Sequence, residues 1–258
     1  MNSLDYAEQL LIGRCMSRHG IPYVVPAPRD LLAQRSFPYV VDDIAWARAQ
    51  GYGGKEQRRI GVLRERDPNE RYFRSLSAHG RTEALTVLMG AQSKGVSAKA
   101  PTGMTLTTSN HGCIAEAQRA LYGDLNTWFR VQVVTTNLQP LYVPKVRADS
   151  RYKKALGQWA SCMKAAGQPY DTPGQARETA AKRAAAQSPE EADKSSSHIA
   201  VAEATCARST PLSKVVADLD RYYGDRVRAR YRKDVTDKRR LQNAALPRAR
   251  DVIAREHG

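Results

Sequence analysis

A six-residue signature occurs twice in this chain. Cys15-Met16-x-x-x-Gly20-x-Pro22-Tyr23-x-x-Pro26 returns as Cys162-Met163-x-x-x-Gly167-x-Pro169-Tyr170-x-x-Pro173, every position displaced by the same 147 residues. A constant displacement implies an internal duplication, two related halves built on one plan. In each copy a glycine after a helical run supplies a left-handed stop, and the proline two residues on cannot continue the helix. Each copy is followed by one further cysteine on an alanine-rich helix, Cys113 in Gly-Cys-Ile-Ala-Glu-Ala and Cys206 in Ala-Glu-Ala-Thr-Cys-Ala. The expected fold is mainly α: a first helical half over 1–145 and a second over 146–258, with one small β-hairpin in the first.

The first helix reads as 3–19 with Ser3 as N-cap, and its copy as 149–166, where Leu156, Trp159 and Met163 line one face and bury Trp159 beside Cys162. Asp42 or Asp43 caps a short helix holding Trp46 that ends at Gly51, and Gly51-Tyr52-Gly53-Gly54 reads as a turn, without the flanking strand and helix of a phosphate loop. Asp67-Pro68-Asn69-Glu70 gives cap, first-turn proline and N3 carboxylate to a helix running to about His79, with another over 81–89. Around Pro101-Thr102-Gly103, residues 95–108 alternate as a hairpin. Helices over 112–122 and around Trp128, Phe129 and Val133 follow, and Pro140 and Pro144 mark the boundary between the halves at 138–148. In the second half, 174–186 is helical, Ser188-Pro189-Glu190-Glu191 is a capping box, and Thr210-Pro211 opens a final long helix. That helix is interrupted at most by Gly224 and ended or kinked at Pro247, with 248–258 frayed.

Four cysteines in matched contexts read as a disulfide framework, Cys15–Cys113 and Cys162–Cys206. Loop closure of that length stabilises the fold by about 4–5 kcal/mol for each bridge. Cys15 with His19 four residues on, and His111 two before Cys113, also have the composition of a Cys2His2 zinc site. The second copy has Ala166 and Ala204 at the histidine positions and still keeps its cysteines, so disulfides without metal are expected in both. Linking Cys15 to Cys113 brings His19 and His111 together with Tyr23 and Glu116, a candidate polar site of the acid/base kind. No catalytic motif of the hydrolase, metalloprotease or nucleotide-binding kinds is present, and no cofactor is expected.

The chain carries 41 basic and 26 acidic residues, a net charge of +15, which attracts polyanions over a range set by salt screening. Within 226–240 the eight arginines and lysines spread around the helix and interleave with Asp225, Asp234 and Asp237. A one-sided basic stripe is absent there, which disfavours nucleic acid. Anionic cell-wall polymer or an acidic protein or peptide is the expected partner. No run approaches the roughly 20 apolar residues of a membrane span. The first twelve residues lack the basic region and the roughly 7–15 apolar residues of an export signal. With paired cysteines, the expected location is extracellular or the cell envelope after signal removal, or the cytoplasm if the cysteines are free.

The runs Asp42-Asp43-Ile44-Ala45-Trp46-Ala47-Arg48-Ala49-Gln50-Gly51-Tyr52-Gly53, Gly112-Cys113-Ile114-Ala115-Glu116-Ala117 with Leu121-Tyr122-Gly123-Asp124, and Trp159-Ala160-Ser161-Cys162-Met163 carry a resemblance. Over about residues 5–210 the chain resembles exported proteins and lipoproteins of GC-rich actinobacteria, a family with no established activity. The resemblance implies export and disulfides and supplies no site. The expected function is a non-catalytic extracellular or envelope binding protein with a basic surface. The alternative is an enzyme acting on a peptide or cell-wall substrate through the histidines of the first half, where the duplication has diverged.

Overall fold

A computed structural model describes residues 2–26, 35–91 and 95–256. The described residues are mainly helical with one antiparallel hairpin, as expected. By compactness the chain divides into one unit of Met1–Asp30, Leu63–Leu138 and Arg228–Gly258, and another of Leu31–Val62 and Gln139–Val227. The chain passes between the units at Val62–Leu63, Leu138–Gln139 and Val227–Arg228, so neither unit is one continuous half of the sequence.

In the first unit, α1 (Ser3–Arg18), α6 (Gly112–Tyr122), α7 (Leu125–Thr136) and α13 (Arg232–Ala254) bury Leu4, Ala7, Leu121, Val131, Leu241 and Ala245 against one another. Tyr122 stacks on Trp128 with ring centroids 3.5 Å apart. Pro247 lies inside α13 without ending it. An interior proline costs about 3 kcal/mol, and here it sits between Ala245 and Ala249, both fully buried, with Arg248 donating to the Leu121 carbonyl at 2.6 Å. Packing outweighs the lost backbone bond, so the tail is helical to Ala254 rather than frayed. Residues 257 and 258 lie outside the described set.

β1 (Gly95–Lys99) pairs with β2 (Thr105–Ser109), Ala98 opposite Leu106, and lays Ala98, Ala100 and Leu106 on Phe129 and Val133 of α7. Before the hairpin come α4 (Pro68–Ser75) and α5 (Ala78–Met89). The two helices were expected, but the break comes at residues 76–77 rather than after His79, because the Ser77 hydroxyl accepts the Gly80 amide and starts the new helix there. Gly90 (φ 78°) and Gly112 (φ 87°) bring the end of α5 onto the start of α6, where a Cβ on Gly112 would lie 2.4 Å from the Gly90 nitrogen.

In the second unit, α2 (Ile44–Gln50) is capped by Asp43, and α3 (Gly54–Glu65) begins where only a turn was read. The polar sequence of α3 buries only Glu56, so no apolar period announces it. A 3-10 turn (Gln139–Leu141) and α8 (Val143–Ala148) use their prolines in first turns rather than as breaks. Then follow α9 (Ser150–Ala165), α10 (Pro173–Ala185), α11 (Pro189–Ser209) with the expected capping box, and α12 (Leu212–Arg230). The final helical stretch breaks at Tyr231, between α12 and α13; Gly224 is buried within α12.

The repeated signature is a repeated local structure. At the end of α1 the N–H of Ile21 reaches the Met16 carbonyl and that of Gly20 the Ser17 carbonyl, both at 3.0 Å. At the end of α9, Gln168 reaches Met163 at 2.8 Å and Gly167 reaches Lys164 at 3.1 Å. Both ends are Schellman motifs closed by a glycine of φ 71° or 74°. Met16 and Met163 are each fully buried. The partner cysteines do not repeat in the same way: Cys113 opens α6, whereas Cys206 sits in the last turn of α11.

Candidate functional site

The sulfurs of Cys15 and Cys113, and of Cys162 and Cys206, lie at bonding distance, with Cα separations of 5.5 and 5.7 Å. Around the first pair the four expected side chains divide. A ring nitrogen of His19, exposed at the C-cap of α1, lies within 4.8 Å of both sulfurs. Glu116 places Oε2 3.5 Å from Cys15 Sγ while Oε1 accepts from Arg18. Tyr23 turns away to donate a 2.6 Å bond to Gln9 Oε1, its hydroxyl pKa pushed up by burial and by Asp67. His111 is the N-cap residue of α6, exposed and making no side-chain cap bond. No hydrogen bond joins any two of these four among the described residues.

A larger cavity, about 700 Å³, opens in the second unit among residues 35–41, α2, α3, α10 and α11. Its size falls within the range of small-molecule pockets. Ala180, Ala181 and Ala184 of α10 face Ala192 of α11 across it, and Phe37, Val41, Trp46 and Tyr52 complete the apolar lining. Phe37 and Trp46 pack with centroids 4.8 Å apart. The indole nitrogen of Trp46 is buried and has no hydrogen-bond partner among the described residues. At the rim, Arg35 is paired with Asp43 and Arg58 with Asp193.

Behind this lining lies Glu203, fully buried. Its carboxylate accepts from the Val41 N–H at 2.6 Å, the Tyr52 hydroxyl at 2.5 Å and Arg177 Nη2 at 3.3 Å, while Trp159 Nε1 donates to its backbone carbonyl at 3.2 Å. Arg177 also donates to the Phe37 carbonyl at 2.9 Å. Burial pushes the Glu203 pKa up, and Arg177, Tyr52 and the Val41 amide pull against it; burial and Glu203 together push the Tyr52 hydroxyl up. Glu203 is a clamp, holding residues 37–41 and the end of α2 against α10 and α11. A carboxylate already holding three donors is committed to structure, not poised to move a proton.

Sequence reasoning passed over Glu203, yet a signal existed. It falls at helical spacing among Ile199, Ala200, Cys206 and Ala207, all buried, and an acid on a buried stripe needs a partner. Trp159 is fully buried, as its spacing implied. No helix among the described residues is long and apolar enough to cross a membrane. No family model matches the sequence, and comparison with curated proteins and with solved structures returns no similar protein.

Proposed function

We propose that this chain is a non-catalytic binding protein of the extracellular space or cell envelope, taking the apolar body of an anionic ligand into the alanine-walled cavity. The observation that carries the reading is the cavity's chemistry. Its wall is methyl groups and aromatic rings, its rim carries guanidinium groups, and the carboxylate behind it is consumed by structural bonds. Arg35 and Arg58 each spend only part of their five N–H donors on a carboxylate, leaving donors for an anionic head. The net charge of +15 adds long-range attraction, and two disulfides suit an oxidising compartment.

The test is titration with an aromatic sulfonate dye followed by fluorescence. The expected result is one dye per chain, binding that weakens with added salt, and loss of binding in Ala184→Trp, which fills the cavity. Binding that is indifferent to salt and to this substitution would overturn the reading.

A further inference from the structure

We propose that reduction of the Cys15–Cys113 disulfide opens a site for one Zn²⁺ ion, held by the two sulfurs, His19 and Glu116. The inference is independent of the cavity in the other unit. Two helices each present a pair of donors: Cys15 in the last turn of α1 and its C-cap His19 are four apart, and Cys113 and Glu116 are three apart on α6. These are spacings at which side chains share a helix face. Both sulfurs and a His19 nitrogen already lie within 4.8 Å of one another, and Glu116 Oε2 is 3.5 Å from Cys15 Sγ.

Zinc bonds to sulfur at about 2.3 Å and to nitrogen or oxygen at about 2.0–2.2 Å in a tetrahedron, so bound sulfurs stand roughly 3.8 Å apart. The Cα atoms, 5.5 Å apart, allow this by side-chain rotation. His19 is exposed and can tilt inward. Cys113 is the second residue of α6, where the positive end of the helix favours a thiolate. Arg18 holds Glu116 through Oε1, leaving Oε2 towards the sulfur. The second copy differs: Ala166 stands where His19 does, and Cys162 Sγ has the Ser209 hydroxyl 3.7 Å away.

A phosphine supplies the two electrons. Disulfide, phosphine and water give two thiols and phosphine oxide, and the thiols then release two protons as their sulfurs bind the metal. The experiment uses the full chain, reduced anaerobically with a water-soluble phosphine and titrated with Zn²⁺ against a chromophoric chelator, with Co²⁺ as a spectroscopic substitute. One zinc per chain is expected, retained in Cys162→Ala/Cys206→Ala, with thiolate-to-cobalt charge-transfer absorption and binding weaker by about tenfold or more in His19→Ala. No zinc, two zinc ions per chain, or unchanged affinity in His19→Ala overturns the proposal. Circular dichroism accompanies each titration. If the reduced chain loses helix without metal, recovery on adding zinc in the wild type but not in His19→Ala supports the site, and equal recovery in both overturns it.

Discussion

The Tyr52 hydroxyl donates to Glu203 Oε2 across 2.5 Å, joining the loop after α2 to the C-terminal part of α11. Removing it in Tyr52→Phe leaves a buried carboxylate short of one donor, a loss of about 1–3 kcal/mol. Glu203→Ala strips the charge from beside Arg177 and releases the Val41 amide as well, and should cost about 3–5 kcal/mol. Urea denaturation of the three proteins checks the order: wild type most stable, then Tyr52→Phe, then Glu203→Ala.

Gly51 ends α2 at φ 55° against α11, where a Cβ would lie 2.5 Å from Ser196 Oγ, the atom that accepts the Tyr52 amide. Gly51→Ala therefore meets both backbone strain and a collision, and a loss of about 1–3 kcal/mol is expected. Gly20 has φ 71° but open space around it. Gly20→Ala meets strain alone, about 1–2 kcal/mol, so thermal melts should show the larger fall for Gly51→Ala.

Asp149 caps α9 and accepts from the Arg151 amide and guanidinium at 2.9–3.0 Å and from Tyr223 at 3.1 Å. The Arg151 bonds, side chain first, hold its pKa well below the ordinary 3.8. A carboxylate with a lowered folded pKa contributes stability that is complete above its unfolded value and lost as pH falls through the folded one. The melting temperature should therefore decline as pH drops below 3.8, and Asp149→Asn should be less stable at neutral pH with a shallower acid decline. Equal acid slopes in both proteins would refute this role.

What the sequence made legible was local. The caps at Asp43, Asp67 and Ser188, the glycine stops at Gly20 and Gly167 and the hairpin turn at Pro101-Thr102-Gly103 each depend on a few adjacent residues. Both cysteine pairings followed from context. What stayed hidden depends on distance or on polar surface. Tyr52 and Glu203 are 151 residues apart, and only the folded chain reveals their bond. The histidine cluster was half legible: linking the cysteines brings His19 and Glu116 to the sulfurs, but Tyr23 finds Gln9 and His111 stays at the N-cap of α6. The helical side of the cavity's wall is alanine, which in a sequence reads as helix propensity rather than as space.

The two disulfides differ in access, and this sets the order in which they open. Cys15 and Cys113 are 2% and 0% exposed, whereas Cys162 is only partly buried beside Cys206. Thiol–disulfide exchange needs an attacking group to reach a sulfur. Under limiting reductant in native buffer, alkylation and mass mapping should label Cys162 and Cys206 first. Cys15 and Cys113 should follow at the slower rate of local opening, and mild denaturant should narrow the gap between the pairs. Simultaneous labelling of all four would show that burial does not protect the first bridge. Labelling of Cys15 and Cys113 first would mean that the end of α1 opens more readily than its fully buried Met16 implies.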